Sequence, residues 1–310
     1  MIYLKRLTNR LFKNQHGAAL VIMAAAIAVI IGFTALVTDI GLITVNRQIM
    51  VNLMDAAALS GAQQLPDEGL AIDVAMSYAE YNNFDPAQLT YVVSPDKKRI
   101  TVSGNKNVNL AFAKLFGFYS QTVSATAAAE LQPLTSFYGV APMIIRDTTI
   151  LSIAPGELTT LKFGNPDLAP GNFAGLSLSG LDDAAYLNDM TYGYASTLRV
   201  GQDVPTKPGN MAGPTADGIA ARINQCHDAC TYESFVTGCP RVVIIPVYKD
   251  QVFEGRSTLT ICGFTSFFIK SILTGKDKDT IEGYFIETIQ EGETNASQVD
   301  YGVTRPVLVI

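Results

Sequence analysis

The sequence predicts an α+β protein. A long N-terminal transmembrane and stalk helix comes first, then a small β-β-α-β unit, then a mainly β domain outside the membrane. Three observations predict it. Ala18 to Thr38 carries no charge. The next stretch, to Gln64, keeps apolar residues at helical spacings and meets no proline before Pro66. Beyond Tyr81 the chain turns to short β-prone runs between turns rich in Gly, Asn and Pro. The expected divisions are a cytoplasmic basic leader (1–17), a membrane helix (18–38), a stalk helix (39–66), a small α/β domain (67–132) and a mainly β extracytoplasmic domain (133–310).

The membrane helix follows from length. The 21 residues Ala18–Thr38 rise ~1.5 Å each and reach about 30 Å, the thickness of a bilayer's hydrocarbon core. A secretory signal has an apolar core of only about 7–15 residues. A buried soluble helix should show a polar stripe, and this run has none. Lys5, Arg6, Arg10 and Lys13 precede it, and Asp39 follows. Positive residues stay in the cytoplasm, so the body is expected outside. Ala24, Ala25, Ala26, Ala28 and Gly32 are small enough for another membrane helix to approach, or are simply apolar filler.

The stalk has Ile40, Ile43, Met50, Leu53, Met54, Ala57 and Leu59 near a three-and-four spacing, with Arg47, Asn52, Asp55 and Gln63 between them. A helix from Ala18 to Gln64 would be roughly 70 Å long. A second helix is expected at Glu68–Tyr81, broken by Asp85-Pro86. Short strands at Leu89–Val93 and Arg99–Val102, a helix at Val108–Phe118 and an alanine-faced strand at Thr122–Leu131 make the small unit. Further strands are expected at Gly139–Ile145, Leu158–Phe163, Arg241–Lys249, Ser257–Ile269 and Tyr284–Ile289, with helices at Ala184–Tyr192 and Thr215–Cys226. The Arg241 strand should be central and end at Pro246.

Net charge is −6 despite the basic leader, and there is no Trp. That argues against nucleic acid, which needs a basic face. Cys226, Cys230, Cys239 and Cys262 cluster in the part expected outside, where an even set reads as two disulfides. Cys230 with Cys239 closes a short loop and leaves Cys226 for Cys262, although four cysteines allow three pairings. The competing reading is a zinc site that adds His227. Cys-x3-Cys followed by single cysteines after gaps of 8 and 22 residues lacks the paired knuckles of a zinc fold.

The run TDIGLITVNRQIMVNLMDAAALSGAQQLP resembles the N-terminal signature of TadE/TadG-like proteins of the Flp (tight-adherence) pilus system, in particular the TadG-like branch. The family pattern is an apolar span, Asp-x-Gly, an Arg a turn or two later, then Asp-Ala-Ala-Ala-Leu-x-Gly-Ala. Asp39, Gly41, Arg47, Asp55, Ala56, Ala57, Ala58, Leu59, Gly61 and Ala62 fit it, whereas Val51, Leu53 and Met54 depart from it. The specific match covers residues 16–66, and Ile100–Leu131 is similar to the part that follows in such proteins. The resemblance implies a membrane-anchored, non-enzymatic component of pilus assembly at the bacterial cell envelope. Its partners would be the lipid bilayer and other pilus assembly or secretion proteins. The alanine face would offer a thin helix surface to a partner, with homo-oligomer or fibre contact as a further use.

The N-terminus also resembles a type IV prepilin, with Gly17 as the last leader residue and Ala18 as the first mature one. Pilins carry a Glu at the fifth mature position; here that residue is Ile22. Without it the new amine of a cleaved chain would lie unpaired among apolar groups. A permanent anchor is therefore expected, and a minor pilin cleaved after Gly17 is the alternative.

No catalytic set is legible. His16 and His227 are the only histidines. Ser177 lies in Gly-Leu-Ser-Leu-Ser-Gly, which is not a nucleophile elbow. The Gly-Lys of ILTGKDKDT lacks the preceding glycine of a P-loop. Asp277, Asp279 and Glu282 lack the central Gly and closing Glu of an EF-hand. The Asp-x-Ser-x-Ser metal motif found in some TadG-like proteins is missing, so no cofactor is expected. An anchored extracytoplasmic receptor or enzyme remains the competing class.

Overall fold

A computed structural model describes residues 15–163, 172–207, 209, 211–249, 257–273 and 280–309. Lys5, Arg6, Arg10, Lys13, Asp277 and Asp279 lie outside these residues. The chain forms two compact units, residues 1–129 with 308–310, and residues 130–307.

The first unit is built on α1 (Gln15–Ala62), one continuous helix of 48 residues. Large apolar side chains from Leu20 to Val37 are exposed. This segment is long and apolar enough to cross a membrane. Past Thr38 the helix changes character. Asp39, Met50, Leu53, Met54, Ala57, Ala58 and Ala62 are buried along one stripe, as a helix lying on a protein core requires.

That stripe packs on α2 (Glu68–Tyr81) and on a strand described below. The Asp67 side chain starts α2 by accepting the Leu70 N–H at 3.0 Å. Ala71, Ala75 and Ala79 form its buried face. Small residues on both helices bring the backbones close. A Cβ on Gly61 would stand 2.8 Å from the Ala71 carbonyl oxygen and 3.2 Å from the Ala75 Cβ. A 3-10 turn at Pro86–Gln88, capped by Asp85, leads into β1 (Leu89–Val93). β1 pairs antiparallel with β2 (Arg99–Asn109), from Val93 opposite Ile100 to Leu89 opposite Gly104. β3 (Ser120–Pro133) buries Val123, Ala125, Ala127 and Ala129 at every second position.

The helix expected at Val108–Phe118 is a correction. β2 runs on to Asn109, and only a 3-10 turn, Ala113–Phe116, follows. Gly117, at φ 90°, ends it with an N–H that reaches the Lys114 carbonyl at 3.1 Å. Leu110 N–H bonds the Tyr119 carbonyl at 3.0 Å, so the segment is the tip of a hairpin.

The second unit contains β4 (Ser136–Tyr138), β5 (Met143–Arg146), α3 (Asp147–Leu151), β6 (Leu158–Phe163), β7 (Asn172–Gly175) and α4 (Asp183–Tyr192). It continues with β8 (Thr197–Arg199), β9 (Asp203–Pro205), α5 (Ala212–Gln225), β10 (Val242–Tyr248), β11 (Thr258–Ile272), β12 (Thr280–Ile286), β13 (Thr288–Ile289) and β14 (Val303–Val309), whose last two residues count with the first unit. The main sheet runs β10-β5-β7-β6-β12-β11, and β11 pairs back onto β10. The ring therefore closes, which removes its free edges. β9 extends it along the start of β11, while β4 pairs with β8 separately.

β10 is buried on both faces, which explains its unbroken apolar sequence. Val243, Ile245 and Val247 join one core with Tyr186, Met190 and Ile219. Ile244 and Tyr248 join a second core with Leu176, Leu259 and Phe264. The strand does not stop at Pro246, as expected from sequence. It passes through it opposite Phe264, and the pairings at Ile245 and Val247 carry the ladder on.

α4 and α5 are locked together. A Cβ on Gly218 would stand 2.5 Å from Met190 Cγ. The Tyr186 and Thr215 hydroxyls share a hydrogen bond of 3.0 Å. Arg222 Nε donates to the Met190 carbonyl at 2.5 Å and Nη1 to the Pro240 carbonyl at 3.2 Å. Burial pulls the Arg222 guanidinium down to about 10, still charged at neutral pH.

Candidate functional site

Two places gather the residues singled out from sequence. The first is the C-terminal half of α1. Asp39, the first charged residue past the apolar run, is buried. Its carboxylate accepts three consecutive backbone N–H groups. Ala111 N donates to Oδ1 at 2.7 Å, Phe112 N to Oδ2 at 3.1 Å and Ala113 N to Oδ2 at 2.6 Å. Burial acts to raise its pKa. The three N–H donors and the Lys114 charge outweigh that, and the carboxyl is held below its ordinary value. Asp39 is thus a clamp between helix and hairpin tip within one unit. The 3-10 turn borrows the carboxylate for amides that a longer helix would have left to an N-cap.

The signature residues further along α1 divide by face. Ala57 and Ala58 are buried inside the chain, and Gly61 touches Ala71, Ala75 and the Ile100 side chain. Asp55 and Ala56 are half-buried, while Arg47 is exposed. Gly41 is exposed with open space where a Cβ would project. The alanine face expected to dock a partner is therefore occupied by the chain's own α2 and β2. Gly17 and Ala18 fall within α1, and their side chains lie outside the described residues.

The second place is the cysteine cluster between α5 and β10. The sulfurs of Cys226, Cys230 and Cys239 lie within 4.8 Å of one another, with Cys226 and Cys239 at 3.7 Å. Cys230 and Cys239 are buried against Phe268 and Ile286, beside Tyr232 stacked on Tyr284. The four cysteines are thiols here. Cys262 lies apart, on β11, with its sulfur 3.7 Å from the Tyr301 hydroxyl and packed on the larger core. Neither expected pairing is formed: Cys230 and Cys239 are both free, and Cys226 and Cys262 lie in different clusters. His227 is exposed and is not among the grouped ligands.

The chemistry of the three sulfurs is uneven. Burial raises Cys226, but N–H groups of Cys230 and Asp228 and the neighbouring thiols lower it more, and its net shift is down. Burial, first, and hydrogen bonding with the Cys230 and Cys226 thiols push Cys239 up to about 12. Cys226 therefore gives up its proton more readily than Cys239. Tetrahedral zinc thiolate sites have sulfurs about 3.8 Å apart, from Zn–S bonds of ~2.3 Å. The cluster suits a three-thiolate metal centre or oxidation of one pair.

Residues 17–64 match the family described as "Putative Flp pilus-assembly TadE/G-like". The chain carries a TadE/G-like segment. No curated protein and no solved structure matches it. The TadE/G-like segment coincides with α1, from the apolar run through the Gly61 contact. Sequence reasoning found its signature residues but missed what Asp39 binds. The amides of Ala111–Ala113 carry no side-chain signal. The sequence around them does: LAFAKLFGFY, Leu110 to Tyr119, has six large apolar or aromatic residues beside one charge.

Proposed function

We propose that the protein is a membrane-anchored, non-enzymatic component of Flp-type pilus assembly at the bacterial cell envelope. The observation that carries this is the TadE/G-like match over 17–64. The exposed apolar run of α1 supports the anchor. Lys5, Arg6, Arg10 and Lys13 before the run support a cytoplasmic N-terminus and a body outside. Ile22 supports an uncleaved anchor over a pilin released after Gly17.

With the Ala57 face used inside the chain, the partner surface shifts to the exposed face of the stalk. Gly41 and Arg47 lie on it, and another pilus assembly protein would meet them there. The barrel unit is held outside as the part that reaches further components. Deletion of the gene in a piliated strain tests the reading. Loss of pili and of surface adherence, restored by the full chain, is the expected result. Full piliation in the deletion strain would reject it and favour an anchored receptor or enzyme.

A further inference from the structure

Among the described residues outside the apolar run of α1, the hairpin tip at Leu110–Tyr119 gathers several exposed large apolar side chains. Leu115 is 78% exposed, Phe116 81%, Phe118 66% and Tyr119 72%. They are nearly consecutive, with Lys114 as the only charge in the segment. Contiguous apolar surface of this kind marks a place that something covers.

Its position says what. α1 and β2 run side by side in opposite directions. Ile100 meets Gly61, and Gly104 lies by Met54. Ala111 meets Asp39. Asp39 to Gly61 rises ~33 Å at helical pitch. Ile100 to Ala111 spans ~36 Å as extended chain. The two lengths agree, so the hairpin descends the stalk to the residue where the apolar run ends. The Asp39 clamp then fixes the tip at that level through three backbone bonds.

We propose that this tip is a second membrane contact. It seats Leu115, Phe116, Phe118 and Tyr119 in the headgroup–acyl boundary of the bilayer that α1 crosses. Aromatic side chains favour that zone. Lys114 extends its ammonium toward the phosphates, as lysine does at an interface. A helix alone in a bilayer is free to tilt and rotate, and interfacial anchors restrict both. The tip therefore sets the angle and rotation at which the stalk leaves the membrane. The proposal rests on α1 being a membrane span.

The absence of Trp allows a direct test, because each introduced Trp is a single reporter. Full-length chain carrying Phe116→Trp, Val29→Trp or Val92→Trp is placed in phosphatidylcholine–phosphatidylglycerol vesicles, with and without brominated acyl chains. Val29 lies in the span, and Val92 is exposed on β1 near the far end of the stalk. Interfacial burial of ~5–10 Å predicts blue-shifted Phe116→Trp emission that loses about half its intensity to bromine. Val29→Trp should be quenched more strongly, and Val92→Trp not at all. Phe118→Trp repeats the measurement should Phe116→Trp misfold. Quenching at Val29 without quenching at Phe116 or Phe118 overturns the proposal and leaves the span intact. Blue-shifted but unquenched emission at the tip also overturns it, since protein rather than lipid would then cover the loop. No quenching at Val29 removes the span and the proposal together.

Discussion

Asp39 is a charge kept out of solvent by three amides, and two results follow at the residue scale. Asp39→Asn leaves one acceptor oxygen where the carboxylate had two, so the Ala111–Ala113 amides lose partners. Their hydrogen exchange should rise several-fold while exchange in β10 stays unchanged. The pH dependence has a definite sign. The folded pKa lies below the ordinary 3.8, so the clamp's contribution is fully present above that value. It is lost as pH falls through the lowered pKa. Tip exchange, corrected for its intrinsic pH dependence, should stay flat from neutral pH down to about 4 and accelerate below. Acceleration between pH 7 and 5 would mean that another group holds the tip.

The cysteines give a second residue-scale prediction. In reduced protein, Cys226 should alkylate first, as the thiol whose pKa is lowered, and Cys239 and Cys262 should lag, both raised by burial. Peptide mapping without reductant should join two of Cys226, Cys230 and Cys239 in any disulfide, or find metal on all three. A disulfide that includes Cys262 would contradict the barrel register. Faster alkylation of Cys239 than of Cys226 would reverse the order of the two thiols.

At the element scale, the close approach of α1 to α2 sets what substitution does. Gly61→Ala puts a methyl against the Ala71 carbonyl, a backbone atom that does not rotate away. Overpacking of this kind destabilises by about 1–3 kcal/mol. Ala57→Phe, at a fully buried position, should be worse. Both should lower the unfolding midpoint of the first unit and spare the barrel. In the second unit, Gly283→Ala would bring a Cβ within 2.2 Å of the Phe268 carbonyl oxygen between β12 and β11. It should melt the barrel and leave the first unit's transition in place. Denaturant unfolding followed by hydrogen exchange separates the two. A midpoint unmoved by Gly61→Ala would show that the helices are looser than described.

For the whole molecule, the expected topology has the body outside and the anchor uncut. Protease added to intact spheroplasts should remove the body. Its survival until the membrane is permeabilised would invert the topology. When pili are sheared from cells, the chain should stay with the membrane. Recovery in stoichiometric amount from the fibres, starting at Ala18, would make it a pilin. Each unit buries its own apolar residues, Met50, Met54, Ala71 and Ile100 in the first and Tyr186, Val243 and Phe267 in the second, so losing the anchor need not unfold the barrel.

What depends on neighbours along the chain was legible in the sequence before any folding. The apolar run, the stalk's helical spacing, the bounds of α2 at Glu68–Tyr81, and β6 and β10 were legible there. Helical period, caps and β-branched runs act within a few residues. The sequence could also place the signature residues, because their spacing is local. What those residues meet depends on contacts that form only when the chain folds. Ala57 and Gly61 read as a free docking face until α2 and β2 covered it. Phe112, Leu115 and Phe116 read as a helix until Asp39, some seventy residues earlier, bound the Ala111–Ala113 amides and Gly117 turned the chain. Cys262 read as a partner for Cys226 until β11 carried it to Tyr301. Barrel closure through β10 and β11 has no sequence signal either. Each of these joins residues far apart in the chain, and such contacts are chosen by the burial and hydrogen bonding of the whole fold. Local pattern carries no record of them.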